Sequence, residues 1–141
     1  MNEMIPMAIM MLISGLLSSM SVFANKTDDI RVSLNDIYMT FLMTGWMFLF
    51  MGVYQNSSAY IYTGTILVLV FLLCIRTQAF LDSHQFARSM IPHHSMAVLM
   101  SKAYLKKQMR VDLSEKDDEL GRLAKNIIAT QENEIAILKR H

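Results

Sequence analysis

Cysteine is nearly absent: Cys74 is the one thiol in 141 residues. A single thiol closes no intrachain disulfide and builds no thiolate metal cage. Set in an apolar run, it reads as a small packed hydrophobe. Charge is missing from two long stretches, Met4 to Asn25 and Ile37 to Ile75, and most Lys, Arg, Asp and Glu follow Arg76. The formal net charge is only +1, which leaves no footprint for a polyanion and sets nucleic acid aside. Also absent are a glycine-rich phosphate loop, a nucleophile with a matched base and the Glu-x-x-His pairs of a carboxylate-bridged di-iron bundle. Neither an organic cofactor nor a catalytic constellation is expected, and the chain does not read as an enzyme.

What is present is apolar surface. Residues of the apolar classes make up 53% of the chain, and the mean hydropathy is positive. A membrane-crossing helix needs about 20 mostly apolar residues. Spans are expected at about 4–24, 37–54 and 59–77, with Gln55–Ser58 as a polar turn that makes the last two an antiparallel hairpin. Val22-Phe23-Ala24 is a passable signal-peptide cleavage site. However, Glu3 without Lys or Arg at the start and a long apolar stretch favour a retained helix. The lipid bilayer is therefore a partner. Lys26, Arg31, Arg76 and Arg88 all fall on one side of a three-span chain, and by the positive-inside rule that side, with the tail, faces the cytoplasm.

Methionine is in excess, with 14 copies. It packs adaptably, and its thioether is a soft ligand that suits Cu(I) without deprotonation. Met39, Met43, Met47 and Met51 recur every four residues in the second span, a stripe that drifts by about 40° per step. It reads either as ordinary packing and lipid contact or as a ladder conducting Cu(I).

After the spans the pattern is helical. From Phe80 to about Lys107 one stripe runs Phe80, His84, Ala87, Ile91, His94, Val98, Leu105, and beside it Phe86, Met90, His93, Ala97, Met100, Tyr104. The third span can run into this helix with little break. Ser114-Glu115-Lys116-Asp117 resembles a capping box, opening a second helix from about Glu115 to Arg140. Its apolar stripe is Leu120, Leu123, Ile127, Gln131, Glu134/Ile135 and Leu138. Two such helices cannot bury a full core alone, so a homodimer forming a four-helix bundle is expected. The expected organisation is a membrane domain at 1–78 followed by a helical hairpin domain at 79–141.

Met90-Ile91-Pro92-His93-His94 is the most informative segment. Met90 stands three and four residues before the two histidines, so all three neighbour one another on a helix. Met96 and Met100 lie further along. Pro92 removes a helix N–H and is expected to kink the helix, turning the histidines toward one point. Thioether with neutral imidazole suits Cu(I), and Ag(I) as a second candidate. Gln131 and Glu134, polar on an apolar stripe, need partners. They read as ligands, as supports that fix a histidine tautomer, or as a polar dimer interface. His84 is a further candidate ligand.

Asp82…Phe86…Ser89-Met90-Ile91-Pro92-His93-His94-Ser95…Ala97…Met100, followed by Leu123-Ala124…Ile127-Ile128…Gln131…Glu134-Ile135, resembles the DUF305 family. Tyr38-Met39…Leu42-Met43 and Arg76-Thr77-Gln78 resemble its membrane-anchored branch. The resemblance implies an all-α, ferritin-like hairpin, an association with copper, and a site at Met90, His93, His94, Gln131 and Glu134. It also implies a bacterial inner-membrane protein with a periplasmic tail, against the lean of the basic residues. The leading expectation is thus Cu(I) binding for copper tolerance, storage or delivery, with a copper-handling protein as partner. The ligands would be Met90, His93, His94, Met100 and Glu134, supported by Gln131, Met96 and His84. The rival readings are a metal-free membrane adaptor that dimerises, and a Cu(I) conduit using Met39 to Met51.

Overall fold

The computed structural model describes residues 4–109 and 116–141. It is all-α among those residues: α1 (Met4–Leu17), α2 (Leu34–Tyr54), α3 (Ser58–Thr77), α4 (Ser83–Gln108) and α5 (Lys116–Leu138). Two 3-10 turns, Met20–Phe23 and Thr27–Asp29, lie between α1 and α2. The chain forms two compact units, one of Met1–Ser19 with Val32–Asp82, the other of Met20–Arg31 with Ser83–His141. The sequence suggested a boundary after residue 78. In the structure the second unit begins at Ser83 and also takes in the segment that follows α1.

Met4–Phe23, Leu34–Tyr54 and Ser58–Thr77 are each long and apolar enough to cross a membrane. In the first unit, α2 begins earlier than the expected Ile37 because Asp36 belongs to the helix as a cap. Ser33 N–H donates to Asp36 Oδ2 at 2.8 Å, and Asp36 N–H returns a bond to Ser33 Oγ, closing a capping box. The hydroxyls of Thr40 and Thr44 donate to carbonyls one turn back, at 2.7 and 2.9 Å, so these buried polar atoms are satisfied within the helix. Two glycines bring α2 and α3 close together. A Cβ on Gly64 would sit 2.6 Å from the Leu49 nitrogen and 2.8 Å from the Gly45 carbonyl oxygen, so the small partner of Gly64 lies across the pair rather than along its own helix. Phe41 stacks on Phe71 at 4.7 Å beside this crossing. The methionine stripe is off the seam: Met39 and Met43 are exposed, while Met47 and Met51 are half-buried.

The third span does not run on into the tail helix. Gln78 caps α3 in the left-handed region (φ 49°, ψ 47°), and Phe80 follows with φ 58°. Left-handed backbone at two non-glycine positions cannot continue a right-handed helix, so α4 starts afresh at Ser83.

In the second unit α4 and α5 pair as an antiparallel hairpin. Its core is slender: Ala87, Ile91 and Val98 from α4 with Ala124 and Ile135 from α5. The face of α5 turned to α4 is one step off the expected stripe, because the small Gly121 and Ala124 take the inner positions. Leu120 and Leu123 are left half-exposed. Lys102 pairs with Glu132 at 2.8 Å across the helices. The capping box expected at Ser114 lies outside the described residues.

The other side of the hairpin is strapped by Met20–Arg31. Ser21 Oγ donates to the Arg31 carbonyl at 2.6 Å and accepts its N–H at 3.2 Å, which folds the segment back on itself. The strap is then fastened to both helices. Ser95, fully buried on α4, donates to Asp29 Oδ2 at 2.6 Å and accepts the Asn25 N–H at 2.8 Å. Asp29, only 2% exposed, meets Lys139 at the end of α5 at 2.6 Å, and Lys139 also pairs with Asp28.

Candidate functional site

Met90 and His94, one turn apart on α4, face Glu134 on α5. With Phe86, Ile137 and Leu138 they line a cavity of about 250 Å³. The i and i+4 spacing puts the thioether and the imidazole on one face, and the antiparallel pairing brings the carboxylate level with them. The His94 side chain is 12% exposed and that of Glu134 40%. Nδ1 of His94 is 2.9 Å from Glu134 Oε2, an ion-pair distance. Burial pushes the His94 pKa below its ordinary value, and His93 adds to that, while attraction to Glu134 opposes it. The imidazole is therefore neutral at neutral pH, the protonation state that binds metals.

The remaining candidates are elsewhere. His93 is exposed, and its ring lies 6.1 Å from that of His94 with the planes 61° apart. The helix runs unbroken through the buried Pro92, so the histidines keep the roughly 100° divergence of adjacent helical residues and do not converge. Met100 lies in a second apolar groove with Tyr104, Leu120 and Leu123. Met96 and Gln131 are half-buried and His84 is exposed, and none of these lines the Met90 cavity. Among the described residues no three His, Cys, Asp or Glu side chains gather as a metal cage.

The donors that do meet suit a soft ion better than a hard one. A thioether and a neutral imidazole match Cu(I); with Nδ1 2.9 Å from the Glu134 carboxylate, that nitrogen would carry the ring proton and Nε2 the lone pair open to such an ion. Glu134 touches that same ring, where it would orient the imidazole and offset the charge of a bound ion. Within one hairpin this amounts to two soft ligands, with His93 turned outward.

Sequence reasoning missed the strap site. Asn25, Asp29, Ser95, Glu132 and Lys139 line a cavity of about 150 Å³. Lys139 holds the pKa of Asp28 below the ordinary carboxylate value, while the hydrogen bonds to Asp28 and Asp29 hold that of Lys139 above its own. The doublet Asp28-Asp29 next to apolar Ile30 was a weak signal. Its partner is 110 residues away, beyond the reach of any local pattern.

Comparison with known proteins bears on the helical hairpin first. Residues 82–141 match the domain of unknown function DUF305. An uncharacterized protein of Acanthamoeba polyphaga mimivirus is 41% identical over 135 residues, covering 92% of this chain and 84% of that protein. No solved structure matches. The matched stretch holds the hairpin and every residue lining the Met90 cavity, and the viral relative extends the likeness through the apolar spans: the chain belongs to the DUF305 family.

Proposed function

We propose that this is a membrane-anchored protein that binds Cu(I) through its helical hairpin, for copper tolerance, storage or delivery. One observation carries the reading. Met90 and His94, a thioether and an imidazole held neutral by burial, line one small cavity with Glu134 beside the ring. Ag(I), with the same ligand preferences, would compete for the site. Three apolar helices would hold the hairpin at a bilayer, where a copper-handling partner could exchange the ion. The family resemblance favours a periplasmic tail, the basic residues a cytoplasmic one. The test is Cu(I) affinity of the detergent-purified chain against a competing chelator. Wild type should bind stoichiometrically, and His94→Ala and Met90→Leu should each weaken binding at least tenfold, roughly the loss of one ligand's 1.4 kcal/mol. Equal binding by all three proteins would refute the site.

A second reading, a metal-free dimerising adaptor, is favoured by the exposed apolar residues Met100, Leu120 and Leu123. Wild type that forms dimers but does not compete for Cu(I) would select it. A third, conduction along Met39–Met51, draws no support from a stripe lying outside the α2–α3 seam.

A further inference from the structure

The hairpin has two long sides, and only one of them is covered. The strap occupies the side of Ser95 and Lys139. On the other, α4 presents Phe86, Met90, His93, Ala97, Met100 and Tyr104, a row at helical spacing without a single formal charge. Beside it α5 presents Leu120, Leu123, Ile127, Gln131, Glu134 and Ile137, with Glu134 as the lone acidic side chain. Phe86, Met100, Leu120, Leu123 and Ile137 are 46 to 61% exposed. Among the described residues the core beneath them is slender, Ile91, Pro92, Val98 and Ile135 with two alanines, too little for a hairpin of this length to stand alone.

The open face has the dimensions and chemistry of an interface with itself. Helices of 26 and 23 residues run about 35–39 Å at 1.5 Å per residue. Two of them side by side, about 10 Å wide each, offer roughly 700 Å², close to the ~800 Å² that each partner buries in a stable dimer. The exposed His93 and the 40% exposed Glu134 are complementary, donor to carboxylate, and would meet across a twofold axis.

Two copies that pair their open faces about a twofold axis along α4 bring each residue to the same level in the partner. Along α4, His93 lies beside its own His94 and Met90, and Glu134 of α5 faces those two. The partner's His93 therefore arrives at that level too, from the open side. This gives the outward turn of His93 a role: each hairpin supplies Met90 and His94 to its own cavity and His93 to its neighbour's.

We infer that the open face is closed by a second copy of this chain, and that the Cu(I) site is shared, with Met90 and His94 from one copy and His93 from the other. The inference rests on the copper reading proposed above, and subunit complementation separates the two. His93→Ala and His94→Ala are purified alone and after co-expression, all in detergent. Alone, each loses competitive Cu(I) binding, because every site lacks a ligand. In a random mixture half the dimers are mixed, and each of these rebuilds one of its two sites, so about a quarter of the wild-type sites return. A mixture that binds no more than its components overturns the shared site. Pairing is read separately with Met100→Cys in a Cys74→Ser background. Oxidation should yield a crosslinked dimer, and Lys125→Cys, off the open face, should not. A monomeric mass with no crosslink overturns the inference and leaves intrachain copper binding standing. A crosslinked dimer whose wild type binds no Cu(I) overturns the copper reading, and the shared site with it.

Discussion

Replacing Ser95 by alanine tests whether the strap is a structural part of the hairpin. The Ser95 hydroxyl is fully buried, donates to Asp29 and accepts the Asn25 N–H. Alanine removes one oxygen and strands two groups, a carboxylate oxygen that is itself buried and a partly buried backbone N–H. A buried group left unsatisfied costs about 1–3 kcal/mol, and the Asn25 side recovers some of this through water, so the sum is about 2–4 kcal/mol. In a domain of this size 1 kcal/mol moves Tm by about 4–8 °C, which sets the expected drop at roughly 8–32 °C. The assay is thermal unfolding of the full chain in detergent, followed by circular dichroism. Hydrogen exchange over Met20–Arg31 should rise in parallel, because the strap is released before the helices melt. Ser89→Ala is the control: its hydroxyl bonds only to the Phe86 carbonyl of its own helix, and its loss should cost less than about 0.5 kcal/mol. A Ser95→Ala protein within 2 °C of wild type, with unchanged exchange in the strap, would refute the reasoning.

Acid should loosen the strap. The depressed pKa of Asp28 means that its pairing with Lys139 contributes fully above the unfolded value of 3.8 and is lost as pH falls through the lower folded value; protection of Met20–Arg31 against exchange, relative to the intrinsic rate at each pH, should stay flat from neutral pH to about 5 and fall in stronger acid. Lys139, raised above 10.5, keeps its contribution below that pH and loses it as pH climbs through the folded value, so a second loss of stability is expected in strong alkali. Glu134→Gln removes the carboxylate at His94 while keeping its shape, and should lower Cu(I) affinity by about 10–100-fold without unfolding the chain, as chelator competition would show. Gly64→Val drives a branched side chain into the Gly45 and Leu49 backbone and should cost about 1–3 kcal/mol, read as a lower apparent Tm in detergent; an unchanged Tm would mean that α2 and α3 do not pack at these glycines. Met43→Leu with Met47→Leu should leave Cu(I) affinity as in wild type, and a loss there would move the site into the spans.

Much of the architecture was legible because it is written in local signals. Long uncharged runs give the spans, and three-and-four spacing gives the hairpin helices. Where the reading slipped, a local rule had met a tertiary demand. Asp36 looked like the charge just before a span, but it is a cap within the helix. Gln78 and Phe80 looked able to carry α3 forward, since nothing in their side chains announces left-handed backbone. Leu120 and Leu123 looked like core because they are large, yet Gly121 and Ala124 take the inner face because they are small. At the site, the i and i+4 relation of Met90 to His94 was visible and Glu134 fell in with them. The adjacency of His93 to His94 suggested convergence, yet the continuous helix leaves His93 exposed and His94 in the cavity. The strap was illegible, since its bonds join positions 66 to 111 residues apart.

Those strap bonds also count membrane crossings. Asp29 can touch Ser95 and Lys139 only if both ends of the intervening chain emerge on one side of the bilayer. If the chain crosses a bilayer between Arg31 and Ser83, it must then do so an even number of times. The two helices there, each long enough to span, allow that parity. The rule holds whichever compartment the hairpin faces, and whether or not the first apolar segment stays in the mature protein. A variant that lost α3 alone would put the strap and its receptor on opposite faces of the membrane, and no improvement in their chemistry could reunite them.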